Sequence, residues 1–306
     1  MLGDTPELRE FLRMIYPNFK INFVAKASGQ RVVYFGLFID RNEVEPEGCD
    51  LWGEVVLKIS EASSKSTISY IQKEIEVLNT LNSKSFPKLY FDEVITIDPI
   101  SEEPINPVRM ISIEEKIESK LLSEIMHEYQ TESKVIDFLI KIIVALRCLW
   151  EHPQKLVHRD LKPENILIKD DGSIVIIDLG ILRQQGVPGN TQSFLSFGPC
   201  TPCYASPEQA TNDKRNITFK TDFFSIGIIC YEMLSTKNPF ICEGEENYIE
   251  DILNRVCNFE PPKLIDMNVS NDLSKIISKM MSKDPYKRFR TVDLLLSELL
   301  EAKKCH

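Results

Sequence analysis

The sequence predicts an α+β fold, in which a strand-rich first part is followed by a larger, mostly helical part. Residues 20 to 27 and 31 to 39 carry β-branched and aromatic residues on either side of a small turn, a pattern that predicts a β-hairpin. Residues 132 to 150 place apolar side chains at helical spacing and form the strongest helical pattern of the chain. With 306 residues, 43% of them hydrophobic, the chain can bury a sizeable interior and suits one domain of two lobes.

The other elements follow from the same two periodicities. In the first part, apolar spacing predicts helices at 6 to 16 and 66 to 82 and strands at 52 to 59, 88 to 97 and 108 to 113. The acidic, proline-containing stretch between the last two strands is expected to be a solvated connector. In the second part, we expect short strands at 166 to 168 and 174 to 177, and helices at 117 to 129, 132 to 150, 245 to 257, 270 to 282 and 291 to 302.

Charge and cysteine usage narrow the class of protein. The net charge of -10, from 36 Lys and Arg against 46 Asp and Glu, argues against nucleic acid or an anionic membrane as the main partner. The chain shows neither a signal-peptide pattern nor an apolar run long enough to span a membrane, so we expect a cytoplasmic protein. Its 8 scattered cysteines fit reduced thiols. Cys200 and Cys203 form one C-x-x-C, which is either coincidence or a redox-sensitive pair.

The most informative stretch is VHRDLKPEN, from Val157 to Asn165, which is followed after a short predicted hairpin by Asp178, Leu179 and Gly180. Taken singly, Asp160, Asn165 and Asp178 could each be an ordinary surface or loop residue. Together they would bring oxygen-bearing side chains to one place. Magnesium prefers oxygen ligands and shares them with nucleotide phosphates, so the pattern predicts a site for phosphoryl transfer.

The order and spacing of these residues resemble the protein kinase family. The resemblance covers roughly residues 18 to 302 and implies a bilobal fold. Residues 1 to 114 would form a leader helix and a small antiparallel-sheet lobe with one main helix, and residues 115 to 306 a mostly helical lobe. It also implies ATP and Mg²⁺ as cofactors.

The resemblance gives each residue of the loop a role. Asp160 would accept the proton of the incoming hydroxyl, and Lys162 would neutralise the γ-phosphoryl group. Asn165 and Asp178 would hold magnesium. A lysine at position 162 is typical of serine/threonine kinases, and Thr201 near Asp160 and Lys162 is a second feature of that kind.

In the first lobe, the resemblance implies that Lys58 contacts the phosphates of ATP while paired to a helix carboxylate. Glu74 is the expected partner and Glu76 a less favoured one, although Glu74 could also be a solvated carboxylate. Ile113 would border the back of the nucleotide pocket. Glu114 and Glu115 would open the hinge, whose backbone groups meet adenine.

The predicted phosphate-covering hairpin departs from the family pattern. When Val33 is aligned with the valine that follows the family's glycine loop, Lys26, Ser28 and Arg31 stand where glycines are expected, and only Gly29 remains. The hairpin either still covers ATP with its backbone or is a plain hairpin in a chain that binds nucleotide weakly or not at all.

The second lobe contains further residues to which the resemblance assigns roles. Thr191, Ser193 and Ser196 lie in a stretch that phosphorylation could order by pairing with Arg159, unless that stretch is simply a flexible loop. Glu208, in a substrate-docking turn, would be paired with Arg288. Asp222 would accept hydrogen bonds from backbone amides of the loop around Asp160. These last contacts would be structural.

Three function classes follow from these features. A serine/threonine protein kinase acting on protein substrates, with autophosphorylation of the 191 to 196 stretch, accounts for most of them. A pseudokinase that binds nucleotide or acts as a scaffold would fit the glycine-poor hairpin. A small-molecule phosphotransferase would share Asp160, Asn165 and Asp178, but the Ser-Pro-Glu turn at 206 to 208 favours a protein substrate.

Overall fold

The chain folds into two compact units, Met1–Glu118 and Ser119–His306. The structure is a computed structural model that describes residues 3–25, 31–81, 83–99, 101–179, 183–184, 200–244 and 246–305. The division falls after Glu118, slightly beyond the predicted boundary at 114, because the last strand of the first unit continues to Glu115 and the Lys116 side chain pairs with Glu54 of the same unit.

The first unit is built on a 5-stranded antiparallel sheet with strand order β1-β2-β3-β5-β4. Its elements are α1 (Pro6–Ile15), β1 (Phe19–Val24), β2 (Arg31–Phe38), β3 (Glu54–Ala62), α2 (Lys65–Thr80), β4 (Leu89–Ile97) and β5 (Pro104–Glu115). The β5 strand begins earlier than predicted, because Pro104 pairs with Ile97 of β4 across the end of the connector.

Helix α1 covers one face of this sheet. Thr5 caps its N-terminus by accepting a hydrogen bond from the backbone N–H of Leu8, and Pro6 occupies the first turn. Its buried side chains Leu8, Phe11 and Leu12 join a core cluster with the inward residues of β2, β3 and β5. Phe11 is 2% exposed, so α1 contributes to the core rather than lying on its surface.

The two faces of β3 and β5 carry different chemistry. Leu57, Ile59, Ile111 and Ile113 point into the α1 core cluster and are fully buried. Successive side chains of a strand alternate between faces, so Lys58 lies on the opposite face, where the register sets it against Ser112 of β5. This opposite face carries the Lys58 ammonium, away from the α1 core cluster.

The second unit is mostly helical. Its helices are α3 (Leu122–Ile125), α4 (Glu132–Trp150), α5 (Pro207–Ala210), α6 (Phe219–Ser235), α7 (Ile249–Asn258), α8 (Asn271–Met280) and α9 (Val292–Lys303). Its short strands are β6 (Lys120–Leu121), β7 (Leu156–Val157), β8 (Ile166–Ile168), β9 (Ile174–Ile176) and β10 (Arg183–Gln184). Helices α4 and α6 are the buried centre, and α8 and α9 pack around them. The α+β class, with a sheet unit followed by a helical unit, is confirmed.

One predicted element was wrong. The stretch from 117 to 129 is not one helix, because Lys120 and Leu121 pair with Ile168 and Leu167 of β8 as strand β6. Only the short α3 and a single 3₁₀ turn follow. Apolar spacing alone did not reveal this pairing, which depends on a strand distant in sequence. Within the described residues, no helix combines the length and apolar character needed to cross a membrane.

Candidate active site

One buried carboxylate, that of Asp222, holds the backbone of the loop from Val157 to Asn165. Asp222, in the first turn of α6, is 0% exposed. Its Oδ2 accepts hydrogen bonds from Trp150 Nε1 at 2.8 Å and from the backbone N–H of His158 at 3.0 Å, and its Oδ1 accepts one from the backbone N–H of Arg159 at 2.9 Å. Burial raises the pKa of the Asp222 carboxyl above its usual value, an effect that these hydrogen bonds and His158 oppose.

A second contact fixes the bend that presents Asp160. Arg159 has a φ of 72°, in the left-handed region that non-glycine residues seldom adopt. Gln209 of α5, 0% exposed, donates from its Nε2 to the Arg159 carbonyl oxygen at 2.7 Å. Because the peptide units on either side of the bend are hydrogen-bonded to buried side chains, the strained conformation is held in place. Gln209 was not singled out from the sequence, since an isolated Gln carries no recognisable signal.

Asp160 lies in a compact polar cluster. Its Oδ1 accepts hydrogen bonds from the hydroxyl of Thr201 at 2.7 Å and from the Thr201 backbone N–H at 3.0 Å. The Lys162 ammonium lies 3.5 Å from Asp160 Oδ2 and donates to Thr201 Oγ1 at 3.1 Å. The Asp160 and Lys162 side chains are 17% and 24% exposed, so both groups remain open to an incoming molecule.

Asn165 and Asp178 lie beside this cluster. The Asn165 amide donates to the Asp160 carbonyl oxygen at 2.9 Å, which orients the side chain of an otherwise buried residue. The backbone N–H of Ile177 donates to the Asn165 carbonyl oxygen at 3.0 Å and so brings the exposed Asp178 next to it. An amide oxygen and a carboxylate are hard donors that suit Mg²⁺. No group of three or more His, Cys, Asp or Glu with metal-site geometry occurs in the described parts of the chain.

His158 and Leu179 are packing residues of the loop. His158 is fully buried, and its Nδ1 accepts a hydrogen bond from the backbone N–H of Asp160 at 3.3 Å. Its Nε2 has no hydrogen-bond partner among the residues that the structure describes. Leu179 is 2% exposed, which shows that a large apolar side chain is accommodated after Asp178.

The predicted pair of Glu208 and Arg288 forms a buried, two-point ion pair. Arg288 Nη1 lies 2.7 Å from Glu208 Oε1, and Arg288 Nη2 lies 2.8 Å from Oε2. The Thr221 hydroxyl also donates to Glu208 Oε1 at 2.8 Å. The two ionised side chains are 0% and 2% exposed, and this contact joins α5 to the turn before α9. Its role is to hold the scaffold together.

Among the described side chains of the first unit, Glu114 forms an ion pair with Lys58. Lys58 Nζ lies 2.7 Å from Glu114 Oε2, and the two side chains are 12% and 4% exposed. The sequence had suggested Glu114 only as a source of backbone contacts. The overlooked signal was an acidic residue directly after the predicted strand that ends at Ile113, where a buried carboxylate needs a cation.

The remaining first-unit residues fall in different places. Val33 pairs with Lys58 across β2 and β3 and shares its face. Ile113 points into the α1 core on the other face, so its side chain is not beside Lys58. The backbone N–H of Glu115 is used within the sheet, because it donates to the Lys88 carbonyl oxygen at 2.8 Å.

Several predicted residues lie wholly or partly outside the described part of the chain, whereas Arg31 lies within it. Glu74 lies in α2, but its side chain is outside the described part, so its pairing with Lys58 stays a prediction. Arg31 begins β2, and its Nε donates to Ser60 Oγ at 3.1 Å. Lys26, Ser28, Gly29, Thr191, Ser193 and Ser196 lie outside the described residues.

The environment of the two cysteines of the C-x-x-C stretch disfavours their thiolate forms. Burial raises the pKa of Cys200 to about 12 and that of Cys203 to about 11. The thiolate is the reactive form, so both thiols are poorly suited to redox chemistry near neutral pH. All 8 cysteines are free, and coincidental spacing is the better interpretation of this pair.

Comparison with known proteins agrees with this geometry. The family model described as "Protein kinase domain" matches residues 52–300. The chain is 28% identical over 254 residues to the probable serine/threonine-protein kinase CPE1738 of Clostridium perfringens, a match that covers 81% of this chain and 34% of that protein.

Two further relatives come from distant organisms. The chain is 28% identical over 209 residues to the serine/threonine-protein kinase PknB of Mycobacterium tuberculosis, covering 65% of this chain and 31% of that protein. It is 26% identical over 243 residues to the serine/threonine-protein kinase KIC1 of Saccharomyces cerevisiae, covering 79% of this chain and 21% of that protein. The chain thus spans a third or less of the length of these two relatives, and the family match covers most of the chain. The chain therefore belongs to the protein kinase family.

Proposed function

We propose that the chain transfers the γ-phosphoryl group of ATP to serine or threonine hydroxyls of proteins, with Mg²⁺ as the metal cofactor. The observation that carries this proposal is the cluster of Asp160, Lys162, Asn165 and Thr201, in which a carboxylate, an ammonium, an amide and a hydroxyl meet within hydrogen-bond reach or close to it. The names of the relatives, all serine/threonine-protein kinases, support the same activity.

In this proposal, each of the polar residues in and near the loop has a separate role in phosphoryl transfer. Asp160 orients the incoming hydroxyl and accepts its proton, for which a well-placed base contributes roughly 10²- to 10⁴-fold. The Lys162 ammonium offsets negative charge at the transferred group. Asn165 and Asp178 hold the magnesium ion, which supplies charge neutralisation for the phosphates when bound. Thr201 is hydrogen-bonded to both Asp160 and Lys162 and so fixes the positions of these two charged groups relative to each other.

The first unit provides the nucleotide-facing groups of the proposal. Lys58 binds phosphate, and Val33, on the same face of the sheet, contacts the nucleotide. Gly29 contributes backbone amides, and the hinge that follows Glu115 contributes backbone groups to adenine. Glu74 remains a second candidate partner for Lys58.

The proposed substrates and setting follow from the chemistry. Protein hydroxyls are the acceptors, and Thr191, Ser193 and Ser196 are proposed autophosphorylation sites. The net charge of -10 supports a role without nucleic acid or an anionic membrane. A reducing, cytoplasmic setting is supported by the free state of all 8 cysteines.

The test compares the purified chain with two variants in the presence of γ-labelled ATP, magnesium and a generic protein substrate. We expect the parent chain and the exposed-site control Asp266→Ala to transfer label, and Asp160→Ala to lose transfer by at least about 100-fold. Acid hydrolysis of the product should yield phosphoserine or phosphothreonine. No transfer by the parent chain, to the substrate or to itself, would overturn the proposal in favour of a nucleotide-binding or scaffolding module.

A further inference from the structure

We propose that Glu114 is the positioning residue that holds the Lys58 ammonium, a role that the family resemblance assigned to a carboxylate of helix α2. The inference deepens the proposed function, and it rests on that function only where ATP is concerned. The ion pair itself is a property of the first unit alone.

The strand register makes this pairing intrinsic to the sheet. Lys58 is opposite Ser112, and Glu114 is opposite Val56, two positions back along β3. The Lys58 and Glu114 side chains therefore lie diagonally on the same face, within reach of a long side chain. The distance of 2.7 Å between Lys58 Nζ and Glu114 Oε2 is that of a charge-assisted hydrogen bond.

The Glu114 carboxylate is held by its neighbours and is almost completely shielded from solvent. Glu114 is 3% exposed, and its second oxygen, Oε1, accepts a hydrogen bond from the Ser112 hydroxyl at 3.3 Å. On the other face of β5, Ile111 and Ile113 are locked in the α1 core. Because side chains alternate strictly between faces, the strand cannot turn Glu114 away without exposing those isoleucines.

Among the described residues, the contact with Glu114 occupies one of the three donors of the lysine. The others can reach a phosphate oxygen without breaking the pair.

The test uses acylation of lysines by acetic anhydride, because only the neutral amine reacts and a bound carboxylate stabilises the ammonium. Acetylation of Lys58 is measured by mass spectrometry relative to the exposed Lys275 in the folded parent chain, in Glu114→Gln and in the matched control Glu74→Gln. We expect Lys58 labelling to rise about tenfold or more in Glu114→Gln and less than about twofold in Glu74→Gln. Labelling in Glu114→Gln that stays within twofold of the parent value would overturn the assignment.

A milder variant covers the case in which Glu114→Gln does not fold. Ser112→Ala removes only the hydrogen bond to Glu114 Oε1 and should raise Lys58 labelling about two- to threefold. An unchanged value in a folded Ser112→Ala chain would count against the proposal.

Steady-state kinetics gives the functional readout. Glu114→Gln should raise KM for ATP about tenfold and change kcat less, because Lys58 contributes mainly to nucleotide binding. An unaltered KM together with increased labelling would overturn the link to ATP but keep the ion pair. Absence of phosphoryl transfer in the parent chain would contradict the proposed function, whereas the labelling result would stand by itself.

Discussion

The two units of this chain hold their functional residues by different means. In the second unit, buried polar side chains do it: Asp222 and Gln209 bind the backbone on both sides of Arg159, so the loop that presents Asp160 is fixed by hydrogen bonds. In the first unit, apolar packing of α1 fixes one face of the sheet, and an ion pair between Lys58 and Glu114 lies on the other face. The difference shows that a functional geometry can be encoded by a dense polar motif or by strand register alone.

The largest effect on the free energy of unfolding is expected from loss of the buried ion pair of the second unit. Arg288→Ala leaves Glu208 without its cation in a site where the two side chains are 0% and 2% exposed. We expect the free energy of unfolding to fall by about 3–5 kcal/mol, measured by urea denaturation. The matched control, Lys304→Ala, removes an ion pair whose side chains are 69% and 72% exposed and should cost no more than about 1 kcal/mol. An equal loss of unfolding free energy in the two variants would show that the buried polar contact does not stabilise the second unit more than an exposed one.

The contribution of apolar packing to the first unit is tested in α1. Phe11 is 2% exposed, and its ring centroid lies 4.2 Å from the Arg109 guanidinium carbon. Phe11→Ala should lower the free energy of unfolding by about 3 kcal/mol, because it leaves a cavity between α1 and the sheet. Met14→Ala, at a side chain that is 41% exposed, serves as the control and should have a small effect. Similar, small losses in both variants would show that α1 only rests on the sheet.

A smaller, pH-dependent effect on the free energy of unfolding is expected at Asp4, which binds Arg9 of α1 and Tyr34 of β2. Hydrogen bonds from Arg9 hold the pKa of Asp4 below its usual value of 3.8, and the buried Tyr34 hydroxyl also donates to this carboxylate at 2.9 Å. A lowered folded-state pKa stabilises the fold above the unfolded value, and this contribution is lost as the pH falls through the folded value. Asp4→Asn should therefore cost about 1 kcal/mol or less at neutral pH, and nothing at about pH 2.

Thermal or urea unfolding at the two pH values measures this difference. The exposed Asp50→Asn variant is the control and should follow the parent chain at both. A cost for Asp4→Asn that does not change with pH would mean that its charge is irrelevant to the attachment of α1.

The same contrast explains what the sequence could predict. The stretch from Val157 to Asn165 is read directly because its chemistry lies within a few consecutive residues, and the family match over residues 52–300 agrees with it. The partner of Lys58 was missed because Glu114 meets it only through the pairing of β3 with β5, which no local pattern specifies. The helix predicted at 117 to 129 failed for a related reason, since β6 is a strand only by pairing with β8. Gln209 carries no motif, and only the folded backbone shows that it binds Arg159.

In the proposed function, Asp160 performs the chemistry, whereas the buried Asp222 holds the loop that carries it. The most direct test of this claim measures phosphoryl transfer and unfolding free energy for Asp160→Asn and Asp222→Asn side by side. We expect Asp160→Asn to lose roughly 10²- to 10⁴-fold in turnover with stability changed by no more than about 1 kcal/mol. Asp222→Asn should lose both turnover and about 1–3 kcal/mol, since an amide can no longer accept all of the hydrogen bonds that converge on it. An Asp160→Asn chain that keeps turnover within about threefold of the parent would contradict the account.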